Sequence, residues 1–319
     1  MSLRQAAETA LDQCLGLASD ESCLIVTDDE REPIGRALYE VAGERTDDVA
    51  IMQYPPGDQH GEEPPEAVAA AMGAADTFLA PTTKSLSHTR ARSDATDGGA
   101  RGATLPGITE EIFQTGLQAD YDQIDAHCAS LSEQLGDATE IRVTAPNGTD
   151  ITILPGNREW REDTGIIHEP GDFSNLPAGE VFVSPVDAAG RFVVDGTMMP
   201  YGLLEADQSL AFEVEDGMVT RIEDDGVRDA VETAADAVGD AAYNLAELGV
   251  GANIAVTELV GSVLLDEKAA GTVHLAIGDD AGIGGDTEAP IHQDGIIRNP
   301  TVYADGEEVA LPSPDAADI

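Results

Sequence analysis

Lysine is almost missing from this chain: across 319 residues it occurs only as Lys84 and Lys268. All basic residues together number 16 against 62 acidic ones, a formal net charge of −46. So acidic a chain repels nucleic acid and anionic membranes, which excludes both as expected partners. The carboxylates are spread along well-patterned segments instead of gathered in a tail. With 42% hydrophobic residues, that dispersal argues for a folded protein with a surface suited to molar salt. There the screening length falls to ~3 Å at 1 M and self-repulsion becomes tolerable. A halophilic protein with salt-dependent stability is therefore expected. Cysteine is equally scarce: Cys14, Cys23 and Cys128 show no pairing pattern and no metal-ligand spacing, as for thiols in a reducing compartment. No apolar run approaches a membrane span, and the first segment, carrying Glu8, Asp12 and Asp20, reads as an amphipathic helix, not a signal peptide. A soluble, cytoplasmic protein is expected. Neither Gly-x-Gly-x-x-Gly nor a Walker sequence occurs, which removes the case for a nucleotide.

The length suits two domains. Residues 1–136 alternate helices with short apolar strands: Cys23–Thr27, Val49–Gln53 and Thr77–Ala80 are strands, and Leu3–Cys14, Ile34–Val41 and Ala67–Met72 are helices. That alternation predicts an α/β domain, a parallel sheet with flanking helices. Ligands in such folds sit at the carboxyl ends of strands. His88 and Arg90 fall there, in Ser85–Arg90. They are candidate substrate-binding residues, and a polar loop capping the next helix accounts for the segment equally well. After the helix Tyr121–Leu135 the character changes. Residues 137–319 hold short strands between Gly, Pro, Asn and Asp turns, plus a helical pattern from Val227 to Leu245. This predicts an α+β domain.

The chemistry-bearing residues lie in that second domain. In Gly271–Gly278, Val273, Leu275 and Ile277 share one face of a strand, which sends His274 to the other. In His292-Gln293-Asp294 the two-residue period brings an imidazole and a carboxylate to one side of an extended backbone. Two imidazoles and a carboxylate suit a divalent metal, although such strand histidines are also met as ordinary hydrogen-bonded polar residues. Glu180, Glu247 and Glu267 stand at element boundaries beside apolar residues. A carboxylate there costs several kcal/mol or more to bury unpaired, while Glu267 beside Lys268 also reads as surface charge.

Taken together, Asn175-Leu176-Pro177-Ala178-Gly179-Glu180-Val181-Phe182, Glu247-Leu248-Gly249-Val250-Gly251, Asp266-Glu267-Lys268, Gly271-Thr272-Val273-His274, His292-Gln293-Asp294 and the closing Asp305-Gly306 resemble the aminopeptidase T-type metallopeptidases. That superfamily includes short relatives of the 2,5-dihydroxypyridine dioxygenase type, and the likeness is to a haloarchaeal-type member. The resemblance implies a metal-binding catalytic domain whose ligands are Glu180, Glu247, Glu267, His274, His292 and Asp294. Its metals would be two of zinc, cobalt or manganese, with Glu247 or Glu267 moving the proton. It also implies a homodimer, with the first domain lining a cleft over the site, and a peptide or small-molecule substrate.

The main expectation is thus an aminopeptidase removing N-terminal residues with a metal-activated water. The peptidases carry a tyrosine shortly after the first histidine, whereas Gly278–Gly285 has none, and the stretch before His292 is shorter than theirs. Both departures point to the alternative, a ring-cleaving dioxygenase with one iron(II) on His274, His292 and Asp294. A non-enzymatic relative binding a metal or small ligand is the third possibility.

Overall fold

The computed structural model describes residues 1–313 and divides the chain into two compact units. The first comprises residues 1–125 and 163–178, the second residues 126–162 and 179–319. The sequence pattern predicts a single break at 136. Instead the helix Tyr121–Leu135 begins in one unit and ends in the other, and a later segment returns to the first.

The first unit is built on five strands ordered Val49–Tyr54, Cys23–Asp28, Thr77–Thr82, Arg101–Pro106 and Phe173–Asn175. All four pairings are parallel, as the alternating pattern predicts. The strands Cys23–Asp28 and Thr77–Thr82 are buried along their whole length, which is why both read as unbroken apolar runs. The strand Arg101–Pro106 escapes sequence reasoning for a physical reason. Its Gly102 lies so close to its neighbour that an added Cβ would stand 2.2 Å from the Phe78 carbonyl oxygen. Its buried Arg101 is held by an ion pair with Glu21. Neither residue advertises a strand. The fifth strand comes from the returning segment, so its partner is about seventy positions away and no local pattern could place it.

The second unit contains two seven-stranded sheets. One runs in the order Met218–Ile222, Leu210–Glu215, Asp187–Val194, Asp150–Leu154, Ile141–Thr144, Thr301–Ala304, Glu307–Glu308. Phe192 and Phe212, on adjacent strands, stack at 4.5 Å between ring centroids. The other runs Gly202–Leu203, Thr197–Met198, His292–Ile297, Val273–Gly278, Leu245–Gly251, Glu180–Val183, Arg161–Asp163.

One element differs from expectation in a way that matters for function. The helix starts at Asp225, capped by the Asp224 side chain, which accepts from the Val227 amide at 2.9 Å. It ends at Val238, where Gly239 takes the positive-φ backbone (φ +65°) that stops a helix. Leu245–Gly251 is a central strand, buried at every position. Glu247 therefore stands within a sheet and not at a helix end. A strand covered on both faces loses the alternation that would announce it.

Candidate metal centre

Four antiparallel strands present the functional side chains on one face of the second sheet. In the pairing register, His274 stands opposite Gly249 and Glu247 opposite Ala276. Glu180 stands opposite Gly251, Asp294 opposite Ala276 and His292 opposite Gly278. Each large polar side chain thus faces a glycine or alanine across the strand pair, and the small partners leave room for imidazoles and carboxylates. The tightest case is Gly249, where an added Cβ would stand 2.1 Å from both Cε1 and Nε2 of His274.

The side chains form one continuous row. His292 Nε2 lies 3.4 Å from Asp294 Oδ1 and 3.3 Å from Glu247 Oε2. The other oxygen of Glu247 accepts from His274 Nε2 at 3.1 Å, and His274 Nε2 is 3.3 Å from Glu180 Oε2. Glu180 Oε1 accepts from the Lys268 ammonium, which also pairs with Glu267 Oε1 at 2.9 Å. Five of the six expected ligands stand together as two overlapping sets, Glu180–Glu247–His274 and Glu247–His292–Asp294, whose ligand atoms lie within 4.8 Å of one another. Glu267, at the end of the short helix Val263–Asp266, joins the row through Lys268.

Lys268 is the member of this row that sequence reasoning misses. Beside Glu267 it suggests surface charge, yet it is 2% exposed. Being one of only two lysines in so acidic a chain is the signal that could have found it. His88 and Arg90 lie in the first unit. The helix Arg90–Asp97 is capped by Thr89, whose side chain accepts from the Arg92 amide. Arg90 pairs with Glu63 while its side chain remains 87% exposed, and His88 is exposed.

Burial and mutual charge set the protonation of the row. Burial alone would lower His274, but the hydrogen bond to Glu247 and the field of Glu180 outweigh it and raise the imidazole to about 9. His292 is likewise pushed well above the ordinary histidine value, because Asp294 and Glu247 outweigh burial. Glu247, burial notwithstanding, is held far below the usual carboxylate range by both imidazoles. Asp294 is lowered by His292 against its own burial. Burial pushes Glu180 up to about 8, with Lys268 opposing and Glu267 adding. Glu267 is raised for the same reason, again against the pull of Lys268.

These residues fit a divalent cation. Glu180 Oε2 is buried and makes no hydrogen bond, its charged neighbour being His274 Nε2 at 3.3 Å; a cation between the two would satisfy both. His292 Nδ1 lies 2.7 Å from the Asp279 carbonyl oxygen, a bond that fixes the ring and leaves Nε2 as the metal-facing nitrogen. His274 Nδ1 has no such partner; its ring is oriented by shape, against Gly249. Two imidazoles with carboxylates suit iron(II), zinc or manganese.

The family model described as 2,5-dihydroxypyridine 5,6-dioxygenase matches residues 3–312. No curated protein matches the chain. Among solved structures, 2,5-dihydroxypyridine dioxygenase from Pseudomonas putida KT2440 is similar, with 20% identity, 97% of this chain and 95% of that chain covered, and a TM-score of 0.79. AmpT from Thermus thermophilus is similar with 18% identity, coverage of 97% and 99%, and a TM-score of 0.69. At these identities both establish a shared fold. The family match favours the dioxygenase alternative over the aminopeptidase expected first. By a match that spans nearly its whole length, the chain belongs to the 2,5-dihydroxypyridine 5,6-dioxygenase family.

Proposed function

We propose that this protein is an iron(II)-dependent ring-cleaving dioxygenase acting on a dihydroxylated nitrogen heteroaromatic of the 2,5-dihydroxypyridine kind. The observation that carries the reading is that His274 on one strand and His292 and Asp294 on the next share one face of the sheet on either side of Glu247, and that the loop joining the two strands, residues 279–291, holds no tyrosine. Two imidazoles and one carboxylate are the ligand set of non-haem iron oxygenases. Iron(II), when bound, supplies the one-electron chemistry that lets ground-state dioxygen react with a closed-shell ring. The protein's share is to hold the ring, keep water out and move the hydroxyl proton. Glu180 is suited to moving that proton, because burial holds its carboxyl near neutrality, where it can take up and release one. Lys268 sets a cation beside it, which favours an anionic oxygen nearby.

A second reading rests on a different observation. Glu247 belongs to both ligand sets, the arrangement of a carboxylate bridging two metals, which serves amide hydrolysis. The two readings separate in one experiment: metal analysis, oxygen uptake and peptide hydrolysis measured on protein purified in molar KCl without chelator. One equivalent of iron(II), with uptake of oxygen on adding 2,5-dihydroxypyridine and its loss in His292→Ala, supports the dioxygenase. Two equivalents of zinc, cobalt or manganese with hydrolysis of peptides and no oxygen uptake overturns it in favour of the peptidase. Protein that takes up neither class of metal removes both enzymes and leaves a binding protein.

A further inference from the structure

Another buried carboxylate lies just outside the row, and its donors come from several of the strands that build the site. Asp280 is 2% exposed. Its Oδ2 accepts from the Ser184 hydroxyl at 2.9 Å and from Asn244 Nδ2 at 3.0 Å. Its Oδ1 accepts from the Thr287 amide at 2.6 Å. Ser184 directly follows the strand of Glu180, and Asn244 directly precedes the strand of Glu247. Asp280 itself lies two residues beyond the strand of His274, while Thr287 belongs to the loop that delivers His292. Because the four strands run antiparallel, these are their ends on one side of the sheet. A single carboxylate gathers them.

The loop is shaped around that carboxylate. An added Cβ on Gly285 would stand 1.9 Å from the Asp280 carboxyl carbon. The Asp280 backbone amide donates to the Thr287 carbonyl at 3.0 Å, and its carbonyl accepts from the Gly285 amide at 2.8 Å. Immediately before it, the Asp279 amide donates to the Ile291 carbonyl at 2.7 Å. The Asp279 carbonyl is the atom that orients His292 through Nδ1. His292 is also the only imidazole of the row with substantial solvent exposure, 33% of its side chain, so packing alone does not fix its ring.

We infer that Asp280 is a positioning residue. By tying the loop to the ends of the Glu180 and Glu247 strands, it holds the Asp279 carbonyl where it sets the orientation and tautomer of His292. The inference rests on His292 serving as a metal ligand. Asp280→Asn tests it because an amide offers one acceptor oxygen where three donors need two. Turned either way, it sets an N–H against the Thr287 amide or against Asn244, and Asn244 could adapt only by giving up its bond to the Gly278 carbonyl at 3.1 Å. Zinc is the probe, since it is diamagnetic and occupies imidazole–carboxylate sites. In the zinc-loaded wild type the Nδ1–H of His292 should be visible by NMR and protected from exchange with solvent. In Asp280→Asn that signal should be lost, and zinc should bind about 10- to 100-fold more weakly, the range for removing an outer partner of a ligand.

Ser184→Ala removes a single donor and serves if Asp280→Asn does not fold; it should weaken zinc and hasten exchange of the same proton in the same sense. Val231→Ala, in the core of the helix Asp225–Val238, is the comparison for plain destabilisation: it should lower the melting temperature and leave the His292 signal untouched. Unchanged zinc affinity with a protected Nδ1–H in both Asp280→Asn and Ser184→Ala overturns the positioning role and leaves the metal site standing. Wild-type protein that takes up no zinc overturns the metal site and the positioning role together.

Discussion

Gly249→Ala is the sharpest test of how the site is packed. Gly249 is not in the left-handed backbone region, so alanine meets no conformational obstacle and the effect is purely one of space. Its Cβ would lie 2.1 Å from Cε1 and Nε2 of His274 and 3.0 Å from Cδ2. Reaching ordinary contact near 3.4 Å requires a shift of about 1.3 Å, in a ring that is 1% exposed and enclosed by a close-packed interior. That shift is large against the 3.1 and 3.3 Å contacts joining His274 to Glu247 and Glu180. Overpacking of this kind costs about 1–3 kcal/mol. Displacing a ligand should weaken metal binding by at least the ~10-fold that removal of an outer partner produces. The assay is iron(II) or zinc titration by calorimetry beside thermal melts of the metal-free protein. Gly73→Ala serves as the comparison, because nothing lies closer than 3.7 Å to a Cβ there. If Gly249→Ala bound metal as tightly as the wild type and melted at the same temperature, the close approach of strand and imidazole would be wrong.

Three further outcomes are expected. Lys268→Met should destabilise the metal-free protein by up to about 3–5 kcal/mol in urea unfolding above pH 8, where Glu180 is ionised, and by less at lower pH, since it leaves Glu180 and Glu267 buried beside each other without their cation; a midpoint unchanged at both pH values would refute the pairing. The metal-free protein should lose stability as pH rises from 6.5 to about 9. His274 has its folded value raised to about 9, so its contribution is complete below the unfolded value and vanishes through the folded one. That is at most about 3 kcal/mol by linkage, and melting temperatures that rise over this window would contradict it. Finally, with a net charge of −46, the melting temperature should climb as KCl approaches molar concentration, because screening removes the repulsion among surface carboxylates; equal melting temperatures in dilute and concentrated KCl would refute the halophilic reading.

Much of the architecture is legible in the residues. The parallel sheet follows from apolar runs such as Cys23–Asp28, which are buried on both faces and therefore unbroken. The period of two places His292 and Asp294 on one side of a strand, and they are neighbours at 3.4 Å. What stays hidden depends on pairing between distant segments. No local pattern says that Gly249 faces His274 or that Gly251 faces Glu180, because register is fixed only when strands meet. Glu247 reads as a helix end because a strand buried on both faces carries no alternation. Lys268 looks solvent-exposed for want of its partner Glu180, 88 positions earlier.

The sequence by itself determined which groups could do chemistry: two imidazoles at strand spacing, carboxylates beside apolar residues, and a connecting loop without a tyrosine. These are properties of residue type and short-range period, which a chain carries before it folds. Only the tertiary structure decided that the groups form a single row from Asp294 to Glu267, that a lone lysine is buried at one end of it, and that Asp280 gathers the ends of the strands beneath. Such facts depend on which segments become neighbours. Neighbourhood in a sheet is settled by burying every strand at once, and no single segment encodes it.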